Sequence, residues 1–242
     1  MAIKKRPVSP RQKMINLMYV VLMAMLALNV STEVLNGFSI VEESIGRTAA
    51  NAAKENQVIY DDFEAQLKAN PAKVKAWFDK AQRVKSMSDS LYNLAEELKL
   101  AIVKEADGED GDVKNIEAKD NLEAANQIML APGRGRGGEL FKAINSFRSR
   151  ILAMIDDNAQ KQIISSNLST TLPANAVTMG KNWQEYMFED MPVAGAITLL
   201  TKLQSDVRYA EGEVLHTLVS NIDLKDIRVN SLNAFVIPIS QT

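Results

Sequence analysis

From Met14 to Thr32 the chain reads MINLMYVVLMAMLALNVST, nineteen residues without a charge, closed by Glu33. A helix of that length rises about 28 Å, close to the ~30 Å hydrocarbon core of a bilayer. Five cations and no acids precede it: Lys4, Lys5, Arg6, Arg11 and Lys13. Cationic flanks stay cytoplasmic, so the pattern predicts a short inner stub over 1–13, one membrane helix over 14–32 and everything beyond on the outside. A cleaved signal peptide has a shorter apolar core and a small-x-small cleavage site. Here the core is longer, runs on into Val34-Leu35 and shows no convincing A-x-A site, which favours a retained anchor.

Beyond Glu33 the period is helical. Ser31 and Thr32 are of capping type, but Val34, Leu35, Phe38, Val41 and Ile45 keep the spacing, so the membrane helix is expected to run on as a stiff rod. A further helix covers Asn51 to Ala69, and Asn70-Pro71 punctuates the chain, since proline suits a first helical turn. Val84, Met87, Leu91, Leu94, Leu98 and Ala101 alternate in steps of three and four, the seam of a helix over about Ala72 to Lys104. After the acidic loop Asp107–Asp112, helices are expected at Ile116–Leu130 and from Leu140 to Ile155. Between these two lies the Gly-Arg stretch Gly133–Gly138. A looser segment near Thr170–Gly180 leads to Trp183–Phe188, and a last helix opens at Pro192 and reaches about Asn221. Residues Ile227–Ile239 turn β-branched and extended in character, and a lone strand needs partners. The fold class is therefore mainly α: one transmembrane helix, an elongated helical bundle over 33–224, and over 225–242 the beginning of a β domain.

Composition agrees, with 46% hydrophobic and only 6% aromatic residues. The net charge of −2 hides a split: the first 13 residues carry +5 and the rest −7, from 23 cations against 30 acids. An acidic outer part leaves no footprint for nucleic acid. The absence of cysteine excludes disulfides and thiolate metal sites, and the single His216 excludes a multi-histidine zinc site.

Candidate chemistry mostly dissolves. Gly133-Arg134-Gly135-Arg136-Gly137-Gly138 matches G-x-G-x-x-G formally, but a helix rather than a strand precedes it, so it reads as a helix–helix loop. The acidic loop places Gly111 and Asp112 where an EF-hand wants an acid or amide and then glycine, so it reads as a solvated turn. No arrangement of nucleophile, base and orienter is present, so no enzyme, cofactor or small-molecule substrate is expected. In the apolar helix Gln12, Asn16, Tyr19, Met23 and Ala27 share one face at 100° per residue, with Ala27 and Ser31 a small pair four apart. This stripe reads equally as interfacial anchoring or as a docking face for other membrane helices.

A short stub, one membrane helix and a large outer domain is also the layout of the B-type subunits of flagellar stators and Tol/Exb systems. Those carry an intramembrane aspartate, as a proton path requires, and Met14–Thr32 has none. In a proton-driven machine a partner would have to supply the carboxylate, with Arg11 or Lys13 as counter-charge.

Two blocks point to a family. Pro10-Arg11-Gln12-Lys13-Met14-Ile15-Asn16-Leu17-Met18-Tyr19, continuing through Ala24–Ser31 and Glu33-Val34-Leu35, closely resembles the start of the GldM/PorM family. These are inner-membrane proteins of gliding motility and type IX secretion in Bacteroidetes. Phe188-Glu189-Asp190-Met191-Pro192, with Leu203–Arg208 and Ala210-Glu211, is a second match. The resemblance implies a homodimer whose membrane helices sit within GldL/PorL subunits carrying a membrane glutamate. It implies a proton-motive-force-driven motor that transmits movement through the periplasm to outer-membrane components. Arg11 then matches the arginine thought to pair with that glutamate, and Lys13, Asn16 and Tyr19 are candidate coupling positions. The alternatives are a static membrane-anchored periplasmic scaffold and a sensor, for which about 13 residues leave no room for an output module.

Overall fold

The structure, a computed structural model, describes the backbone of residues 9–28 and 31–232 and the side chains of 9–23 and 31–222. Helix α1 spans Pro10–Leu28, and Ser9 caps it by accepting from the Gln12 N–H through Oγ and from the Lys13 N–H through its carbonyl. No helix among the described residues is long and apolar enough to cross a membrane. Two of the residues expected in the span, 29 and 30, lie outside the described residues.

The expected unbroken rod is corrected at Ser31. Its backbone is extended (φ −66°, ψ 147°), and its hydroxyl accepts from the Val34 N–H at 3.4 Å, so a new helix, α2, begins at Thr32 and runs to Ala69. A serine that can satisfy an orphan amide of the following helix offers the chain an N-terminus there, against mere continuation. The separate helix expected from Asn51 is the distal half of α2.

Helix α3, Pro71–Asp107, follows with one residue between, its proline in the first turn. The seam it buries is Val74, Ala81, Val84, Ser88, Leu91, Ala95, Leu98 and Ile102, steps that sum to a strict heptad. Met87 and Leu94, expected on that seam, lie beside it and are only partly buried. Asp107 then folds the acidic loop back on itself, its carboxylate accepting from the N–H groups of Glu117 and Ala118 at 2.9 and 2.8 Å. The helix expected from Ile116 starts later, as α4 over Glu123–Leu130. Asp107 holds 117 and 118 as a side-chain acceptor that competes with helical pairing, while Asn121 Oδ1 accepts from the first two N–H groups of α4 itself, those of Glu123 and Ala124.

Helix α5 covers Gly137–Leu152, and α6, Asn158–Asn167, was not expected at all. Asp157 caps α6 by accepting from the Ala159 N–H, and only Ile164 of the helix is buried, so its sequence carries little apolar period. A short helix, α7 (Ala174–Thr178), lies in the looser segment; α8 (Trp183–Phe188) follows it and opens with a full capping box between Asn182 and Glu185.

Helix α9 runs from Val193 to Leu232, past Asn221, so the extended region expected from Ile227 is helical in backbone at least to Leu232. After Gly212 neither glycine nor proline occurs until Pro238, and a helix propagates until something stops it. The remainder of the expected β region, 233–242, lies outside the described residues.

The core is a long three-helix bundle. α9 packs most extensively against α2 and then α3, and the smaller helices α4, α5, α6 and α8 close one flank. Leu98, Ile102, Ile197, Leu200, Val207 and Val214 are among its fully buried side chains. α1 has no substantial packing partner among these elements.

Candidate functional site

Two places carry arrangements worth a functional reading, and they differ in kind. At the start of α1, Arg11, Lys13, Asn16 and Tyr19 are exposed except for their own turn, and the Gln12 amide donates to Asn16 Oδ1 at 3.2 Å. That bond confirms that Gln12 and Asn16 share one face. Around them Met14, Leu17, Met18, Val20, Val21, Leu22 and Met23 are all exposed, from 46% for Val21 to 74% for Met14. Apolar side chains open on every side of a helix form a surface that nothing among the described residues covers. Ala27 stands in α1, whereas Ser31 belongs to α2 as its cap, so the small pair does not share one continuous helix.

The second place is a polar seam buried between α2, α3 and α9. Glu211, 1% exposed, accepts from the Tyr60 hydroxyl at 2.7 Å and pairs with Arg208 Nη1 at 2.8 Å. The same guanidinium nitrogen reaches Asp89 at 2.8 Å, and its plane lies over the Tyr92 ring, 4.6 Å from the centroid. Asn56 donates to the Arg208 carbonyl at 2.9 Å, a close approach that Gly212 permits: a Cβ there would stand 2.7 Å from Asn56 Oδ1. One turn back along α9, Gln204 donates to Glu96 at 2.8 Å and to the Tyr92 carbonyl. Lys99, itself buried, donates to Glu96 and to Thr201 Oγ1, each at 3.1 Å, and Thr201 donates onward to Glu42 at 2.9 Å.

The electrostatics follow from burial. Desolvation, then the negative Glu211, push the Tyr60 hydroxyl well above the ordinary tyrosine value, so it stays a donor. Burial opposes the charge of Arg208, but Glu211 and Asp89 outweigh it and the pKa is raised. Burial likewise opposes ionisation of Glu96, yet Gln204 and Lys99 outweigh it and hold the carboxyl below its usual value. Ser88 Oγ and Arg208 Nε remain buried without a partner. Beside the lower end of the seam lies a cavity of about 660 Å³ bordered by Glu42, Glu43, Glu96, Lys99, Lys119 and Thr201. Cations and acids alternate along the seam and, Arg208 Nε apart, satisfy one another; among the described residues no nucleophile is aligned with a base. Such a seam fixes which turn of α9 meets which turn of its neighbours.

The remaining sequence candidates are structural. Arg136 of the Gly-Arg loop pairs with Glu97 and Glu139, and Gly135 lies so close to the Met129 carbonyl that a Cβ would come within 2.7 Å. His216 is exposed on α9. Among the described residues no cluster of three or more potential metal ligands occurs.

The chain compares directly with a known domain. The family model of the GldM N-terminal domain matches residues 33–221. The chain belongs to the GldM family. No curated protein matches it. The matched range begins one residue into α2 and ends on α9, so it is the bundle and its seam that carry GldM membership, while α1 lies outside it. Leu203–Arg208 and Ala210-Glu211, part of the second block of the resemblance, turn out to hold Gln204, Arg208 and Glu211 of the seam. GldM-family proteins are non-enzymatic components of the multi-subunit gliding-motility and type IX secretion machinery.

The seam's partners on α2 and α3 were not foreseen. A signal was present: Gln204, Arg208 and Glu211 recur at steps of four and three on the very face that Leu200, Val207 and Val214 define as core. Polar residues at core spacing predict buried partners, though not which ones.

Proposed function

We propose that this chain is a subunit of a proton-motive-force-driven inner-membrane motor that passes mechanical movement through the periplasm to outer-membrane gliding and secretion components. In this reading residues 1–13 are cytoplasmic, 14–32 cross the membrane once, and 33–224 form a periplasmic bundle with any following β domain beginning beyond Leu232. Two copies pair, and their membrane helices seat against GldL/PorL-like subunits that supply a membrane glutamate. Arg11 is its counter-charge, with Lys13, Asn16 and Tyr19 along the same helix and Ala27 as a small packing position.

The observation that carries the reading is α1 itself. Among the described residues it exposes apolar side chains on all sides and has no substantial packing partner, and it bears Arg11 and Lys13 at its base. An intramembrane partner covers the first property and uses the second. A bundle stitched by a buried polar seam also suits a part that bears load.

The test is Arg11→Ala beside Arg11→Lys in the native host, with co-purification of a multi-helix membrane partner and secretion measured together. The motor reading expects Arg11→Ala to keep the partner and lose secretion, with partial rescue by lysine. Normal secretion by Arg11→Ala would point instead to a static scaffold, a reading that the break in the helix at Ser31 favours.

A further inference from the structure

At the distal end of the bundle, beyond the polar seam, a cleft of about 650 Å³ opens between the first turns of α3, the end of α5 and α9. Among the described residues its walls carry Lys80, Arg83 and Arg150 against the one acid Asp156, and its floor is Trp77, Ala153, Met154 and Leu218. Neither Arg83 nor Arg150 engages a carboxylate among the described residues, and both are exposed. The cleft sits in a basic stretch: Pro71–Ser88 holds Lys73, Lys75, Lys80, Arg83 and Lys85 against Asp79 alone, on a chain whose outer part is otherwise acidic.

We propose that this cleft docks an acidic peptide segment of a partner protein, one that presents carboxylates beside an aliphatic side chain. Two guanidiniums with free forks are matched to carboxylates, which they bind bidentately. The aliphatic floor of Met154, Leu218 and Ala153 takes the neighbouring apolar side chain. A glycan is disfavoured by the same floor: sugar rings seek an open aromatic face, and the Lys80 ammonium already lies over the Trp77 ring, 4.6 Å from its centroid. The volume falls within the range of built ligand sites, about 300–1,000 Å³. This inference stands independently of the motor reading.

The test uses the intact chain in mild detergent and a fluorescein-labelled synthetic peptide of Glu and Leu interspersed with Ser, followed by anisotropy. Saturable binding is expected, weakening as salt is raised, because the contacts are exposed charges. Arg83→Glu with Arg150→Glu lowers the affinity at least about tenfold, the scale of one lost charge-assisted contact. Arg47→Glu, an exposed cation far away on α2, leaves it unchanged. Both altered arginines are exposed and engage no carboxylate among the described residues, so the variant keeps its fold, checked by circular dichroism. Equal binding by wild type and the double variant overturns the proposal. So does absence of peptide binding, or saturable binding of soluble muropeptides in place of the peptide.

Discussion

Replacing Tyr60 by phenylalanine removes one oxygen from the middle of the bundle and tests the polar seam directly. The hydroxyl donates to a carboxylate that is 1% exposed and that also holds Arg208. A hydrogen bond to a charged acceptor contributes about 1.5–3 kcal/mol, and the phenyl ring keeps the packing, so the loss falls on that bond alone. For a bundle of this size, a loss of that order lowers Tm on the order of 5 °C. Glu211→Gln keeps an acceptor but leaves Arg208 with Asp89 as its remaining carboxylate, which is 40% exposed at its side chain. Breaking a buried pair costs about 3–5 kcal/mol, and Asp89 keeps the effect toward or below the lower end. Tyr60 and Glu211 share one bond, so the double variant is expected to lose less than the two singles together, by about 1 kcal/mol. Urea unfolding of the four proteins, followed by far-UV circular dichroism in one detergent, yields the cycle. Additivity within about 0.3 kcal/mol would show that the two side chains act independently and that the seam does not set register.

Four further outcomes follow from the structure. The folded-state pKa of Tyr60 is raised above its ordinary 10.0, so the stability it contributes is whole below that pH and is lost as pH rises beyond it. The gap in unfolding free energy between wild type and Tyr60→Phe should therefore narrow above pH 10 and stay constant below; a gap that widens there contradicts the assignment. Gly135→Ala presses a methyl against the Met129 carbonyl at 2.7 Å, where backbone cannot yield, and should cost about 1–3 kcal/mol in urea unfolding. Gly37→Ala meets open space in mid-helix and should stabilise by about 0.5–1 kcal/mol. Burial, more than Lys202 can offset, raises the Asp206 pKa, so its charge costs stability once pH exceeds the ordinary aspartate range. Asp206→Asn should accordingly raise Tm at neutral pH and not in acid, read by a thermal melt at each pH.

Where the chain has a strong period, its helices could be read directly. The hairpin at Asn70-Pro71, the α5 face of Leu140, Ile144, Phe147 and Ile151, and the apolar face of α9 all lie where spacing places them. The α3 seam was read one step aside because hydropathy favours Met87 and Leu94, whereas packing selects Ser88 and Ala95, small enough for close approach of neighbouring helices. α6 escaped because a helix that buries Ile164 alone carries hardly any pattern. The break at Ser31 escaped because a cap competes with continuation through one hydroxyl, a contest that apolar spacing does not record. Of the candidate sites, Gln12 and Asn16 share a face as spacing predicts. The seam could not be paired from sequence, because its bonds join residues about 100 to 160 positions apart.

That separation has a kinetic meaning. The bonds from Tyr60 to Glu211 and from Thr201 to Glu42 span 151 and 159 positions, so α2 and α3 can form a hairpin early but cannot be enclosed until α9 arrives. Closing so long a loop is slow, and meanwhile the faces of α2 and α3 that α9 will cover stay open to solvent and to proteases. If the chain is exported as it is made, its bundle completes only after about residue 222 has emerged, where the last buried residue among those described on α9 stands. A chain arrested shortly before α9 would be degraded as an open hairpin, and one arrested just after it would survive as a folded domain.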